Sequence, residues 1–271
     1  MGSAGQVGGF LSEDIGGGDV TSALLPNRRI SAVVTAGEPC TVAGLEEARR
    51  AFRSRRCSAG GEISDGDAVQ AGDAVLRAAG PARRILECER TALNILSRMS
   101  GVATATRAMA DMMPREGMLY CTRKTMPGLR GMDQRAVLAG GGLVRRGSLD
   151  ESILIKDNHL AVLPLAEIMR RAREAGGTIE VEVEDAGSAA EAARLGASTI
   201  MLDNMGPAAI SRVIARLERE GLRDGVRIEA SGGITPRNAA RYGRSGADII
   251  SSGYMTRSAP GIDFSLEVEA P

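Results

Sequence analysis

The chain has 271 residues, enough for one large or two modest cores, and its 34 basic and 34 acidic residues cancel to zero net charge. A neutral chain with 2% aromatics and no tryptophan is not built to bind polyanions broadly or to stack on single-stranded bases, so any anion site must be a local cluster. Four widely spaced cysteines and a single histidine give no zinc pattern and no disulfide framework, and the start of the chain lacks a signal peptide. No apolar run reaches bilayer length, and these features together imply a soluble, cytoplasmic protein.

In chain order, residues 11–25 (LSEDIGGGDVTSALL) read as a short helix, a loop and a second short helix capped near Thr21 or Ser22. ISAVVTA and CTVAG follow as strands, then a helix over 45–55. SDGDAVQAGDAVLRAAG carries repeated Gly-Asp turns, the mark of tight hairpins. Apolar spacings of three and four over 83–111, broken near Ser100-Gly101, predict two consecutive linking helices. The first 112 residues thus form a small α+β domain with linking helices.

From residue 113 strands alternate with helices: MLYCT, ESILIK, IEVEVE, STIMLDN, VRIEAS and DIISSG, with helices over 164–175, 189–195, 208–220 and 236–244. Such βα units build a parallel sheet. Polar residues crowd the C-terminal strand ends, at Thr122-Arg123-Lys124, Lys156-Asp157-Asn158, Glu184, Asp203-Asn204, Ser231-Gly232-Gly233 and Ser252-Gly253. A barrel gathers all six ends on one rim, whereas an open doubly wound sheet converges only at its switch point, so residues 113–271 are expected to form a (β/α) barrel.

Within this domain lie both lysines of the chain, Lys124 and Lys156, while every other basic residue is arginine. An ammonium retained in so Arg-rich a chain points to a compact charge on a phosphate or carboxylate. ASGGIT and SSG, on successive strand ends, are candidate phosphate cradles. Glu180, Glu182 and Glu184 alternate on one strand face and Asp203 ends the next strand; carboxylates beside a phosphate site invite Mg²⁺, and Lys124 and Lys156 are the cations expected to balance them. Arg90, Arg123, Arg145 and Arg146 add guanidinium groups suited to carboxylates. His159, the only histidine, is expected to support structure rather than to act as a base.

The motifs EDIGGGDVTSALL, ECERTALNILSRMSGVAT, TRKTMPGLR, AVLAGGG, ILIKDNH, IEVEVE, IMLDNM, IEASGGIT and DIISSGYMTRS, in this order across nearly the whole chain, resemble the quinolinate phosphoribosyltransferase family. The resemblance implies a type II phosphoribosyltransferase-like fold, α/β, with a small N-terminal domain, a barrel of fewer than eight strands and a C-terminal strand that can return to the first domain. It implies a Mg²⁺-dependent transfer of phosphoribosyl from phosphoribosyl pyrophosphate to quinolinate, giving nicotinate mononucleotide, pyrophosphate and CO₂. It assigns Arg123, Lys124 and Arg146 to the quinolinate carboxylates, with Arg90 entering from the second subunit of a homodimer. Lys156, Glu182 and Asp203 fall to the ribose, metal and pyrophosphate, and Ser231, Gly232, Gly233, Ser252 and Gly253 to the phosphate loops. Two positions depart from the family pattern: Arg145 and Arg257 stand where it usually has histidine. Arg145 leaves open a different aromatic acid as acceptor, and a non-catalytic ligand-binding relative is a separate alternative.

Overall fold

The computed structural model describes residues 3–269. In chain order the elements are α1 (Ser3–Ile15), β1 (Arg29–Ala36), β2 (Cys40–Thr41), α2 (Leu45–Ser54), β3 (Ser58–Gly60), β4 (Ala68–Val69), β5 (Ala74–Pro81) and α3 (Ala82–Ala110). There follow β6 (Leu119–Cys121), α4 (Arg130–Ala139), β7 (Leu143–Val144), β8 (Ile153–Ile155), α5 (Asp157–Leu160), α6 (Leu165–Ala175) and β9 (Ile179–Val183). The last are α7 (Ala186–Arg194), β10 (Thr199–Asp203), α8 (Pro207–Arg219), β11 (Arg227–Ser231), α9 (Ala239–Gly243), β12 (Ile249–Ser252), α10 (Tyr254–Arg257) and β13 (Phe264–Val268). They fall into two compact units, residues 1–107 with 131–141 and 259–271, and residues 108–130 with 142–258.

The first unit is built on an antiparallel sheet of order β13-β1-β5-β3. Alternate residues Ala32, Val34 and Ala36 of β1 are buried, the period of two that a sheet covered on one face requires. α2 buries Leu45, Ala48, Ala51 and Phe52, a stripe at helical spacing, and carries Glu46 and Glu47 in its first turn, where the helix dipole favours them. β13 pairs antiparallel with β1, from Ala32 opposite Val268 to Ala36 opposite Phe264. On α3, Arg98 forks onto the fully buried Asp133 with contacts of 3.0 and 2.9 Å. Burial pushes the Asp133 carboxyl up and Arg98 opposes it.

Three local readings are corrected here. The second short helix near Thr21 is a single 3-10 turn, Ser22–Leu24, organised by Asp19, whose Oδ1 accepts from the N–H groups of Thr21 and Ser22 at 3.0 and 2.9 Å. The Gly-Asp turns do not close hairpins on each other, because β4 pairs with β2 while β5 pairs with β1 and β3. Asp67 and Asp73 instead accept from the backbone of Ser64 and Gln70 (2.9 and 2.7 Å), turning the chain away from itself. The helix break at Ser100-Gly101 is absent, since α3 runs unbroken through it. Gly101 is there for close approach, as a Cβ would lie 2.0 Å from the Pro260 carbonyl oxygen. Gly101→Ala is therefore expected to lower stability by about 2 kcal/mol through overpacking, read as a lower urea midpoint at unchanged slope.

The second unit holds a seven-stranded parallel sheet of order β7-β6-β12-β11-β10-β9-β8. It is an incomplete barrel, as a type II phosphoribosyltransferase-like fold requires, with β7 and β8 as its free edges. β7 is the strand that the hydrophobic pattern did not mark, being only two residues long. α8 buries Ile210, Val213, Ile214 and Leu217, and α7 buries Ala189, Ala190 and Ala192. Asp185 caps α7 by accepting from Gly187 and Ser188 N–H, and Pro207 opens α8 at a position that needs no amide donor. The registers put Glu182, Met201 and Glu229 at one level and Asp203 and Ser231 at the next. No helix among the described residues is long and apolar enough to cross a membrane. No disulfide joins the four buried cysteines.

Candidate active site

A cavity of about 350 Å³ opens within the second unit, where the C-terminal strand ends converge. Arg123 and Lys124 enter it from the segment after β6, Arg145 and Arg146 from the end of β7, and Lys156 from the end of β8. Glu180 and Glu182 come from β9, Asp203 from β10, Glu229 and Ser231 from β11. Leu154, Met201 and Cys121 supply apolar wall. A second cavity of about 220 Å³ shares Lys124, Asp203, Ser231 and Ser251 with the first and adds Gly232, Gly233, Gly253 and Arg257.

The loop carrying Lys124 is held by its surroundings. Thr122 Oγ1 accepts from the Lys124 N–H at 3.2 Å, and Thr256 Oγ1 donates to the Lys124 carbonyl at 2.9 Å. Gly253 makes room for the side chain, since a Cβ there would sit 3.2 Å from Lys124 Cδ. Lys156 pairs through Nζ with Glu182 Oε2. His159 Nδ1 accepts from the Lys156 backbone N–H at 2.9 Å, so the histidine closes the start of α5 and holds the strand end, which is the supporting role expected of it.

The acids are balanced differently from the expectation. Glu182 has Lys156, but Glu180 is met by Arg145 Nη2 at 3.2 Å, not by a lysine. Glu184 is exposed and lines neither cavity. Arg145 also donates from Nη1 to Glu229 Oε2 at 2.6 Å, and so is tied to two buried acids while still lining the cavity. Glu180 Oε1 and Arg123 Nε are buried with no hydrogen-bond partner among the described residues. Burial, followed by the charge of Arg123, pulls the Arg146 guanidinium below its ordinary value, opposed by Glu180. Arg146 Nη1 donates to the Ser152 carbonyl at 3.1 Å, linking the end of β7 to the start of β8 across the open side of the barrel.

Burial pushes the Glu180 carboxyl from 4.5 up to about 8, with the charge of Glu229 adding and that of Arg145 opposing. The folded chain thus keeps this proton between about pH 4.5 and 8 while the unfolded chain releases it, so this group's contribution is fully present below the window and lost as pH rises through it. Glu180→Gln has no such proton to lose. The thermal midpoint of the variant minus that of the parent is expected to rise from about pH 5 to about pH 8 and to level off above it, and a flat difference across that range would contradict the shift.

Gly232 and Gly233 both have left-handed backbones, φ +92° and +62°. Gly232 lies against Asn204, whose N–H donates to the Ser231 carbonyl at 2.9 Å and whose Nδ2 donates to Asp203 Oδ2 at 2.6 Å. The helix expected at Pro236 begins only at Ala239, because Asn238 Oδ1 accepts from Thr235 N–H (2.8 Å) and holds 235–238 as a turn. Ser252 is not a cavity residue: its hydroxyl is buried and donates to the Ile234 carbonyl at 2.8 Å, and Ser251 lines the site in its place. Gly140, in the triple glycine, is fixed by packing, as a Cβ would lie 2.4 Å from the Ala103 carbonyl. Arg90 lies exposed on α3 in the first unit and lines neither cavity.

Among the described residues, no group of three acidic, histidine or cysteine side chains could cage a metal ion. Glu182 and Asp203, one of them already paired with Lys156, fit a hard cation that draws most of its oxygen ligands from a phosphorylated substrate and water. The sequence reading marked Thr122 and Asn204 only as strand-end polar residues and did not single out Glu229 or Ser251. Glu229 had a usable signal, standing two residues before Ser231 on one strand and therefore on the same face.

The chain matches the family model for the C-terminal domain of quinolinate phosphoribosyl transferase over residues 102–267 and that for its N-terminal domain over 19–100. It is 41% identical over 255 residues to a probable nicotinate-nucleotide pyrophosphorylase (carboxylating) of Archaeoglobus fulgidus, covering 93% of this chain and 98% of the relative. It is 32% identical over 268 residues to the nicotinate-nucleotide pyrophosphorylase (carboxylating) of Rattus norvegicus, covering 96% and 89%. The crystal structure of NadC from Streptococcus pyogenes superposes with a TM-score of 0.90 at 33% identity, covering 97% of this chain and 94% of that one. A cationic cavity abutting a glycine-lined one, on a seven-stranded half-barrel whose whole length these relatives match, leads to one assignment: the chain belongs to the quinolinate phosphoribosyl transferase family.

Proposed function

We propose that the protein transfers phosphoribosyl from phosphoribosyl pyrophosphate to quinolinate with decarboxylation, the carboxylating pentosyl transfer of NAD biosynthesis. The observation that carries this reading is the junction of the two cavities. A cationic chamber with Arg123, Lys124 and Arg146 opens onto a glycine-lined one through Lys124, Asp203 and Ser231. The first suits a planar dicarboxylate and the second a phosphomonoester, so the acceptor nitrogen and the ribose anomeric carbon meet at their boundary.

In the chemistry this arrangement supports, the quinolinate nitrogen forms a bond to the anomeric carbon as the bond to pyrophosphate breaks. Glu182 and Asp203 face positive charge growing on the ribose, and Lys156 and Lys124 face the leaving pyrophosphate. The quaternised ring then takes up the electron pair of the breaking carbon–carboxylate bond, CO₂ departs, and a proton replaces it. Arg123 and Arg146 hold the carboxylates throughout. Ser231, Gly232, Gly233 and Gly253 cradle the 5′-phosphate. Glu182 and Asp203 are the residues that would hold Mg²⁺, which when bound supplies charge neutralisation at pyrophosphate. The reading extends to a cytoplasmic homodimer in which each site receives Arg90 from the partner subunit.

Purified protein with phosphoribosyl pyrophosphate, Mg²⁺ and quinolinate should release pyrophosphate and CO₂ in equal amounts. Pyrophosphate formed only with nicotinate, without CO₂, overturns the acceptor; no turnover with either acid favours a ligand-binding relative. Mixing inactive Arg90→Ala and Lys124→Ala subunits should restore part of the activity, and no recovery in the mixed dimer overturns the shared site.

A further inference from the structure

Arg145 and Arg146 are adjacent in sequence but serve opposite sides of the barrel seam. Arg146 reaches the Ser152 carbonyl just before β8, the other free edge. Arg145 crosses the interior from the β7 edge to Glu180 on β9 and Glu229 on β11, at 3.2 and 2.6 Å. Both acids are almost wholly buried, at 5% and 1% exposure, while Arg145 keeps 23% of its side chain exposed. At the open seam β7 is laddered only to β6, over two residues, and has no backbone partner on its other side, so a side chain anchored in the interior can fix the edge in place. The buried Glu229 carboxylate balances this guanidinium and Glu180 adds a second contact, which leaves it no charge to spare for a dicarboxylate ligand.

We infer that Arg145 is a positioning residue rather than a ligand of the acceptor: anchored by Glu229 and Glu180, it fixes the free β7 edge and so sets Arg146 in the acceptor pocket. The inference rests on the pocket assignment made above for the acceptor, and it gives Glu229 a task that nothing else in the site explains. Glu229 cannot itself attract an anionic acceptor, and removing its charge would by itself favour one, so a loss of acceptor affinity on its replacement points to the anchor through Arg145. Specificity then follows from the anchor. The acceptor meets Arg123, Lys124 and Arg146 of its own chain beside Arg90 of the partner subunit, and the arginine at 145 adds no further cation.

The test uses full-length Glu229→Gln, Arg145→Gln and the double variant, with thermal midpoints and separate KM values for quinolinate and phosphoribosyl pyrophosphate. Each single variant should raise the quinolinate KM about tenfold while the phosphoribosyl pyrophosphate KM stays within about twofold. Arg145→Gln leaves the buried acids without their guanidinium, so the double variant should melt higher than Arg145→Gln and show a quinolinate KM no higher than that of Arg145→Gln. A directly binding Arg145 predicts otherwise: Glu229→Gln leaves the quinolinate KM unchanged, and either that result or a double variant more impaired than Arg145→Gln overturns the inference. If Arg145→Gln does not fold, the Glu229→Gln KM decides alone. Failure of the parent protein to turn over quinolinate would overturn the acceptor assignment instead, and the anchor would then be judged by the order of the melting temperatures.

Discussion

Lys124→Arg should cut kcat/KM about a hundredfold, roughly 2.7 kcal/mol of transition-state stabilisation, with the melting temperature nearly unchanged. The charge survives the substitution and the geometry does not. Lys124 runs beside Gly253 with its Cδ already at 3.2 Å from where a Cβ would be, and its backbone is held by Thr122 and Thr256. A rigid, planar guanidinium cannot follow that path to a point contact, and at the junction of two anion cavities the ammonium must serve both at once. Stability should be spared because the side chain forms no ion pair among the described residues that an arginine would break. The measurement is steady-state turnover with both substrates varied, beside a thermal melt. Near-normal turnover would show that the two lysines of this Arg-rich chain are not there for their shape.

The barrel was legible because its signal is repeated. Each strand ends in polar residues and each helix shows an apolar stripe, so Lys124, Lys156, Asp203 and Ser231 could be gathered on one rim before any coordinate was known. What escaped depended on long-range pairing. Nothing local tells that β4 chooses β2 over β5, or that two residues, Leu143 and Val144, suffice for an edge strand. Gly101 misled for a related reason: helix propensity reads it as a break, while packing against the Pro260 carbonyl requires it inside an unbroken helix. The partners of the interior acids were misassigned because charge balance was counted by sequence neighbourhood. In a barrel it is counted across the interior, where Arg145 from one edge reaches the second and fourth strands counted from the other. Ser252 for Ser251 is a one-residue error in phase, and on a strand that turns the hydroxyl from the site to the wall.

Gly232→Ala is expected to be the most damaging single methyl in the molecule for use of phosphoribosyl pyrophosphate. A Cβ at 232 would lie 2.3 Å from Asn204 Oδ1 and 2.6 Å from Asn204 N, on a backbone at φ +92° that side chains rarely adopt. Asn204, itself at φ +53°, cannot simply withdraw, because its N–H donates to the Ser231 carbonyl and its amide to Asp203. The added methyl therefore disturbs together the glycine-lined cavity proposed to hold the phosphate, the strand end that carries it and the Asp203 carboxylate beside it. Turnover at limiting phosphoribosyl pyrophosphate should fall about a thousandfold, some 4 kcal/mol, far more than the cost of about 1–2 kcal/mol to folding from backbone strain. Gly233→Ala provides the comparison. Its φ of +62° carries the same left-handed penalty, but nothing lies within 4 Å of its Cβ, so only strain remains and the loss should stay within about tenfold. Equal losses in the two variants would mean that strain, and not the contact with Asn204, governs the cradle.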